Sequence, residues 1–259
     1  MGTVGQRKLG ALAVAFVALC ALVLAGCTGA VPYKPVSAKY TLRVLLEKNI
    51  DAQADYLYIE FLRDSLAFSG AFVVVGGDTI RTDVYGQADT SWVPARWAYG
   101  AQVQVKAVDT AEAFSYLTTV SIPQSFGINN IFPNTRIWHP NKANPRAEWT
   151  ASAGASNYVA ALEARLRGSA SRGQSVIAGS TRSQTFTPTA FYNPDNNQLV
   201  PDVYYIHIVA YNPTLIPRPN ANYTVPADTF PLSVSNNQIT GKVSAAVVAA
   251  RDSVIVSPL

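Results

Sequence analysis

The chain is poor in cysteine, histidine and charge. It has two cysteines in 259 residues, Cys20 and Cys27, both near the start. From residue 28 onward no disulfide can form, so stability must come from buried apolar area rather than cross-links. The two histidines, His139 and His207, are poor material for a zinc site without cysteine beside them. No G-x-S-x-G, H-E-x-x-H or glycine-rich phosphate loop occurs. Charged residues make up 14% of the chain and the formal charge is +4, which gives no support for nucleic-acid binding. No stretch after Cys27 reaches the roughly 20 apolar residues that span a bilayer as a helix. The sequence therefore reads as non-catalytic, with no cofactor and no metal expected.

A different pattern stands at the start. Arg7 and Lys8 are the only charges before an apolar run from Leu9 to Leu24, broken only by Gly10 and Cys20. The run, about 16 residues, is short for a membrane span and fits the core of a secretory signal. It closes on Leu24-Ala25-Gly26-Cys27, with two small residues ahead of the thiol. That segment resembles the lipobox of a bacterial lipoprotein precursor. The resemblance implies that residues 1–26 are a signal peptide, that Cys27 receives diacylglycerol and then an amino-terminal acyl group, and that the membrane is a partner through this lipid. Thr28 and Gly29 lack the aspartate that retains some lipoproteins at the inner membrane, so the resemblance points to the outer membrane. Cleavage would remove Arg7 and Lys8 and lower the formal charge from +4 to +2.

Residues 27–38 contain Pro32 and Pro35 without periodicity and read as a tether. Beyond them the chain is rich in Val, Thr, Ser, Tyr and Ala, the usage of strands and turns. Tyr40, Leu42, Val44 and Leu46 alternate with polar neighbours, Leu45 excepted. Tyr56–Leu62, Ala71–Val75, Ile80–Tyr85, Ala101–Val108 and Phe114–Val120 read as further strands, with Gly76-Gly77-Asp78 as a turn needing positive φ. Between Asn49 and Leu66 a short helix fits as well as a strand. The alternation predicts an antiparallel sandwich over 39–120.

A second sandwich is expected over 121–259. Glu148-Trp149-Thr150 is followed by Tyr158-Val159-Ala160-Ala161-Leu162, and Leu199-Val200-Pro201 precedes Tyr204, Ile206 and Ile208. These segments resemble the B, C and F strands of a fibronectin type III domain. The resemblance implies an inward Trp149, a Tyr204 hydroxyl bonded to backbone upstream, and a last strand within Val243–Val256. The fold class is thus all-β, two immunoglobulin-like or fibronectin-like sandwiches behind a lipoprotein signal.

Two surface candidates stand out. Trp92, Trp97 and Tyr99 bracket Val93-Pro94-Ala95-Arg96, a loop able to offer aromatic faces to a sugar or a protein, or to cap the first core. Arg165, Arg167, Arg172 and Arg182 fall in Glu163–Gln184 among glycines and serines, read as a long flexible positive hairpin for anionic polymers or headgroups. Asp51, Asp55, Glu60 and Asp64 are the nearest thing to a catalytic carboxylate group, and Asp195 and Asp202 with Asn193, Asn196 and Asn197 the nearest to a calcium loop. The expected function is a lipid-anchored binding or scaffold module of the cell envelope, with an envelope protein or a glycan as partner; the alternative is an accessory glycan- or substrate-binding lipoprotein of a transport system.

Overall fold

The computed structural model describes residues 38–166, 173–219, 221 and 233–258; the apolar N-terminal run, Cys27, Arg167 and Arg172 lie outside the described residues. Strands β1 (Tyr40–Asn49) and β2 (Ala54–Arg63) pair antiparallel from Tyr40 opposite Arg63 to Asn49 opposite Ala54. The segment left open between helix and strand is therefore strand, because both of its faces are needed for burial. Then come β3 (Ala71–Val75), β4 (Asp78–Arg81), β5 (Gln87–Trp92), β6 (Gln102–Asp109) and β7 (Phe114–Ser121). β5 joins β2, and β4-β3-β6-β7 form the facing sheet. Val103, Val105 and Ala107 of β6 point into the core while Gln102, Gln104 and Lys106 face water, as the alternation requires. Gly76 and Gly77 hold φ of 58° and 100° in the turn between β3 and β4, which a β-carbon would strain. The return strand is shorter than expected, ending at Arg81.

The second half repeats the plan of three strands facing four. β8 (Ile128–Phe132), β10 (Arg146–Trp149) and β13 (Ser183–Thr185) form the smaller layer. β11 (Asn157–Ala164), β12 (Gln174–Gly179), β14 (Val203–Asn212) and β17 (Asp252–Val256) form the larger one, with β9 (Ile137–Trp138) parallel to β17 at its edge. Trp149 is buried and packs on Tyr158, ring centroids 5.7 Å apart. The Tyr204 hydroxyl donates to the Val200 carbonyl at 2.9 Å, the tyrosine corner expected from the strand resemblance.

The last expected strand is in fact two, and the first of them joins the halves. β16 (Ile239–Val248), which also carries the short β15 (Val234–Ser235), pairs antiparallel with the end of β14, Val209 opposite Val248. It also runs parallel to β1 along its length, from Tyr40 opposite Ile239 to Asn49 opposite Val248. One layer from each half thus belongs to a single ten-stranded sheet, and Ala38–Leu259 is one compact unit. The expected division at 120/121 is not a break in that sheet; the chain's final strands cross it. Sequence periodicity carries no sign of such long-range pairing.

A sheet joined this way buries both faces at the seam. Tyr40, Leu42, Val44 and Leu46 face the main core between the layers. Leu45, the exception to the alternation, lies on the other face with Tyr58, Val159, Val209, Tyr211, Ala246 and Val248, roofed by Leu215 and Ile216. Each fully buried aliphatic side chain of this kind contributes about 1.5–3 kcal/mol. Gly241 sits where the ladder is tightest: a β-carbon there would fall 1.8 Å from the Leu42 carbonyl oxygen.

Candidate functional site

The tryptophan loop starts from two charges inside the core. Lys48 and Asp55 are cross-strand partners on β1 and β2, and both are buried. A buried charge is tolerated only when paired and hydrogen-bonded. The Lys48 Nζ donates to Asp55 Oδ1 at 2.6 Å and to the Trp97 carbonyl at 2.5 Å. Asp55 Oδ2 accepts the backbone N–H groups of Arg96 and Trp97 at 2.6 and 2.7 Å. The pair therefore pins residues 96–97 of the loop that follows β5, and the loop in turn satisfies the pair. Lys48 Nζ also lies 4.9 Å from the Tyr99 ring centroid. Burial and the nearby Asp55 charge raise the Tyr99 phenol above its ordinary value of 10.0.

The aromatic faces of this loop are occupied by its own side chains. Trp92 and Trp97 are half-buried and meet edge to face at 5.1 Å. The Arg96 guanidinium stands 5.0 Å from the Trp92 ring and pairs with Asp78. Next in the chain, the Gly100 N–H donates to the Ile122 carbonyl and the Ile122 N–H to Ala101, which leads directly into the second half. The loop caps the first core where the halves meet. Of the three aromatics expected to reach a ligand, Tyr99 is the one with more than a third of its surface exposed.

The other candidates are not assembled into sites. Asp51 accepts the Arg251 N–H at 2.8 Å, Glu60 pairs with Arg43 at 3.4 Å, and Asp64 occupies a turn at φ 50°; none of these faces Asp55 as a second carboxylate. Asp202 accepts the N–H groups of Val203 and Leu166 at 2.7 and 3.0 Å. Asn193 and Asn196 accept the N–H groups of Asp195 and Gln198 at 2.8 and 3.0 Å, which makes this stretch a self-bonded polar turn. Among the described residues no cluster of metal ligands occurs.

The arginine hairpin is corrected. Residues 174–179 are strand β12, paired with β11 from Leu162 opposite Gln174 to Tyr158 opposite Gly179. Arg165 and Arg182 are exposed, but they lie beyond opposite ends of β12, which at about 3.3 Å per residue is roughly 20 Å long. They do not form one patch. The glycines and serines suggested a flexible loop, yet pairing with β11 orders the segment regardless of propensity.

Other buried polar groups escaped the sequence reading. At the far end of the first half, Tyr40 donates to Asp109 at 3.0 Å, Arg63 pairs with the same carboxylate at 2.9 Å, and Tyr40 stacks on Phe114 at 3.9 Å. Burial and Asp109 push the Tyr40 phenol up to about 12. Glu47, on the outer sheet face, takes Arg218 at 2.6 Å. His207 meets Glu163 at 2.9 Å, and burial lowers its pKa below the ordinary 6.5 although Glu163 opposes the shift. For Glu47 and Lys48 a signal was present, since they directly follow the apolar Val44-Leu45-Leu46 within one strand.

No protein-family model matches the chain, and no curated protein matches its sequence. Among solved structures it is similar to the FN1–FN3 domains of chicken CNTN1 (10% identity, TM-score 0.24, covering 82% of this chain and 63% of that one). It is also similar to the D0-D1 domain of intimin (10%, 0.24, 83% and 96%). A third is a 1.5-MDa bacterial ice-binding adhesin retained at a host cell surface (10%, 0.24, 83% and 64%). The chain spans less than two thirds of the CNTN1 and adhesin structures. At this identity and TM-score these likenesses carry no argument about function, and the sandwich assignment rests on the strand pairing described above.

Proposed function

We propose that the chain is a lipid-anchored, non-catalytic module of a bacterial cell envelope, outer membrane rather than inner, that binds or holds another envelope component. The observation that carries the non-catalytic part is the engagement of the ionisable groups. Lys48, Asp55, Asp109, Glu47 and His207 each hold a strand end, a loop or a neighbouring strand. Catalysis needs a base or nucleophile within reach of substrate and free to change its protonation or bonding. Releasing any of these groups would undo local structure. The anchor is supported by the charged start, the apolar run and Leu24-Ala25-Gly26-Cys27. The packing of Trp92 against Trp97 and Arg96 weighs against a sugar platform, because both rings already use their faces or edges.

Two experiments test this reading. Full-length protein expressed in a bacterium with lipoprotein processing should fractionate with membranes and carry a lipid-dependent mass increase on Cys27. Cys27→Ala should lose both, and a variant still bound to membrane would make the apolar run a retained helix. Crosslinked pull-down from the solubilised envelope should then recover one protein near stoichiometry. Recovery of polysaccharide alone, weakened by Trp97→Ala, would replace the scaffold reading with a glycan-binding one.

A further inference from the structure

Large apolar side chains stand in water at the end of the first sandwich remote from the tryptophan loop. Leu66 is 70% exposed, Val84 82% and Tyr85 74%. They belong to two turns that are fastened to each other. Arg63 and Leu66 exchange backbone hydrogen bonds at 2.9 Å in both directions, and the Phe61 N–H donates to Gly86 at 2.8 Å. A β-carbon on Gly86 would sit 2.5 Å from the Leu62 side chain and 3.5 Å from Ala67, so the turn carrying Val84 and Tyr85 lies against the strand end and turn that carry Leu66. Asp83 Oδ1 accepts the N–H groups of Tyr85 and Gln87 at 2.8 and 2.9 Å. The backbone is therefore satisfied locally and the three side chains are held outward on fixed turns.

The chain from the N-terminus arrives at this same end. The Asp64 N–H donates to the Lys39 carbonyl at 2.7 Å, which places the start of the described residues beside Leu66. The second half connects at the opposite end, through Gly100, Ala101 and Ile122; β2, running between the two ends, is about 30 Å long at ~3.3 Å per residue. Residues 27–37 number 11 and could reach at most about 40 Å when extended. An apolar tip beside the tether matches a bilayer surface: aliphatic groups enter the acyl boundary, and a tyrosine sits well at headgroup level. The charges about the tip are mixed, Lys39 paired with Glu112 at 3.0 Å and Arg81 accompanied by Asp83 and Asp64, so the apolar side chains carry the contact.

We propose that the tip formed by Leu66, Val84 and Tyr85 rests in the headgroup layer of the bilayer that holds Cys27, so that the first sandwich stands on the membrane and the second is presented outward. This rests on the lipoprotein reading. The test uses full-length lipidated protein in vesicles of phosphatidylethanolamine and phosphatidylglycerol with brominated acyl chains. A tryptophan is introduced by Tyr85→Trp or, as a control on the second half, by Leu166→Trp at a position 61% exposed; wild-type emission is subtracted. The added indole at position 85 should be quenched at least about twofold relative to unbrominated vesicles and shift to the blue, with no change at 166. Equal emission at the two positions, with the lipid mass present, overturns the tip and leaves the anchor standing. Absence of the lipid mass on Cys27 overturns the anchor and the tip with it. Both substitutions are at exposed sites that need no repacking.

Discussion

The two halves of the molecule share one strand plan and close their cores by different means. The first, residues 39–120, seals each end with a buried carboxylate: Asp55 at the tryptophan loop, Asp109 at the tether end, each held by a cation and by backbone N–H groups. The second, residues 121–258, closes on a chain of aromatic contacts around Tyr158 and Phe191. Trp138 packs on Phe191 at 4.8 Å, Phe191 meets Tyr204 edge to face at 4.9 Å, and Phe126 and Trp149 both meet Tyr158 at 5.7 Å. A carboxylate acts through direction and charge, so a single substitution orphans several partners at once. Aromatic contacts are spread over several rings, each pair worth about 0.5–1.5 kcal/mol beyond the area it buries. Both halves hold aromatic clusters, Tyr40, Phe61, Phe68 and Phe114 in the first among them, and the first adds buried carboxylates at its two ends.

The largest break in that comparison should come from Asp55→Ala. It leaves Lys48 buried without its carboxylate and two loop N–H groups without an acceptor, a loss of about 3–5 kcal/mol measurable by urea denaturation. Gly241→Ala attacks the seam instead. Its methyl group meets the Leu42 carbonyl, so β1 and β16 must part, at a cost on the order of 1–3 kcal/mol. Because β16 pairs with both halves, wild type should unfold in one transition and this variant in two; a single transition in both would mean that the shared core, not the ladder, couples the halves. In the second half Tyr204→Phe removes the hydroxyl bond to Val200 and should cost only about 0.5–1.5 kcal/mol.

The smallest effects are those of pH, and they divide between the halves. Tyr40 holds its proton more tightly when folded, up to about 12 against 10.0. Its contribution is complete below about pH 10 and is lost as pH rises toward 12, because the unfolded phenol ionises first. Tyr40→Phe should flatten stability across that alkaline window. His207 is held below 6.5 when folded, so its contribution is present above pH 6.5 and is lost as pH falls through the folded value, since the unfolded imidazole takes the proton more readily. His207→Gln should flatten the acid side. A slope that survives either substitution assigns it to another group.

Much of the strand plan was legible because one-sided burial writes a period of two into the sequence. The core faces of β1 and β6 follow from alternation, β3 reads as strand from its continuous apolar run, and Trp149 and Tyr204 follow from segments that resemble a known domain type. The places where the reading departs from the fold are those where partners come from far along the chain. Leu45 broke the alternation because β16 and residues 215–216 cover the second face of β1. The glycine- and serine-rich stretch after Arg172 became strand because β11 offered it a ladder. Sequence left the tryptophans as platform or cap, and Asp55 and Lys48, 41 and 49 residues from the loop groups they hold, make the loop a cap.

The sequence by itself determined the class of secondary structure, the core faces of most strands, and the dearth of cysteine, histidine and charge, since each depends only on neighbours within a few residues. The tertiary structure decided that β16 would join β1, that the charges of Glu47, Lys48 and Asp55 would be buried, and that Leu66, Val84 and Tyr85 would stand together beside Lys39. Those outcomes depend on groups separated by tens to hundreds of residues, and local periodicity holds no record of which distant strand will supply the hydrogen bonds that an edge requires.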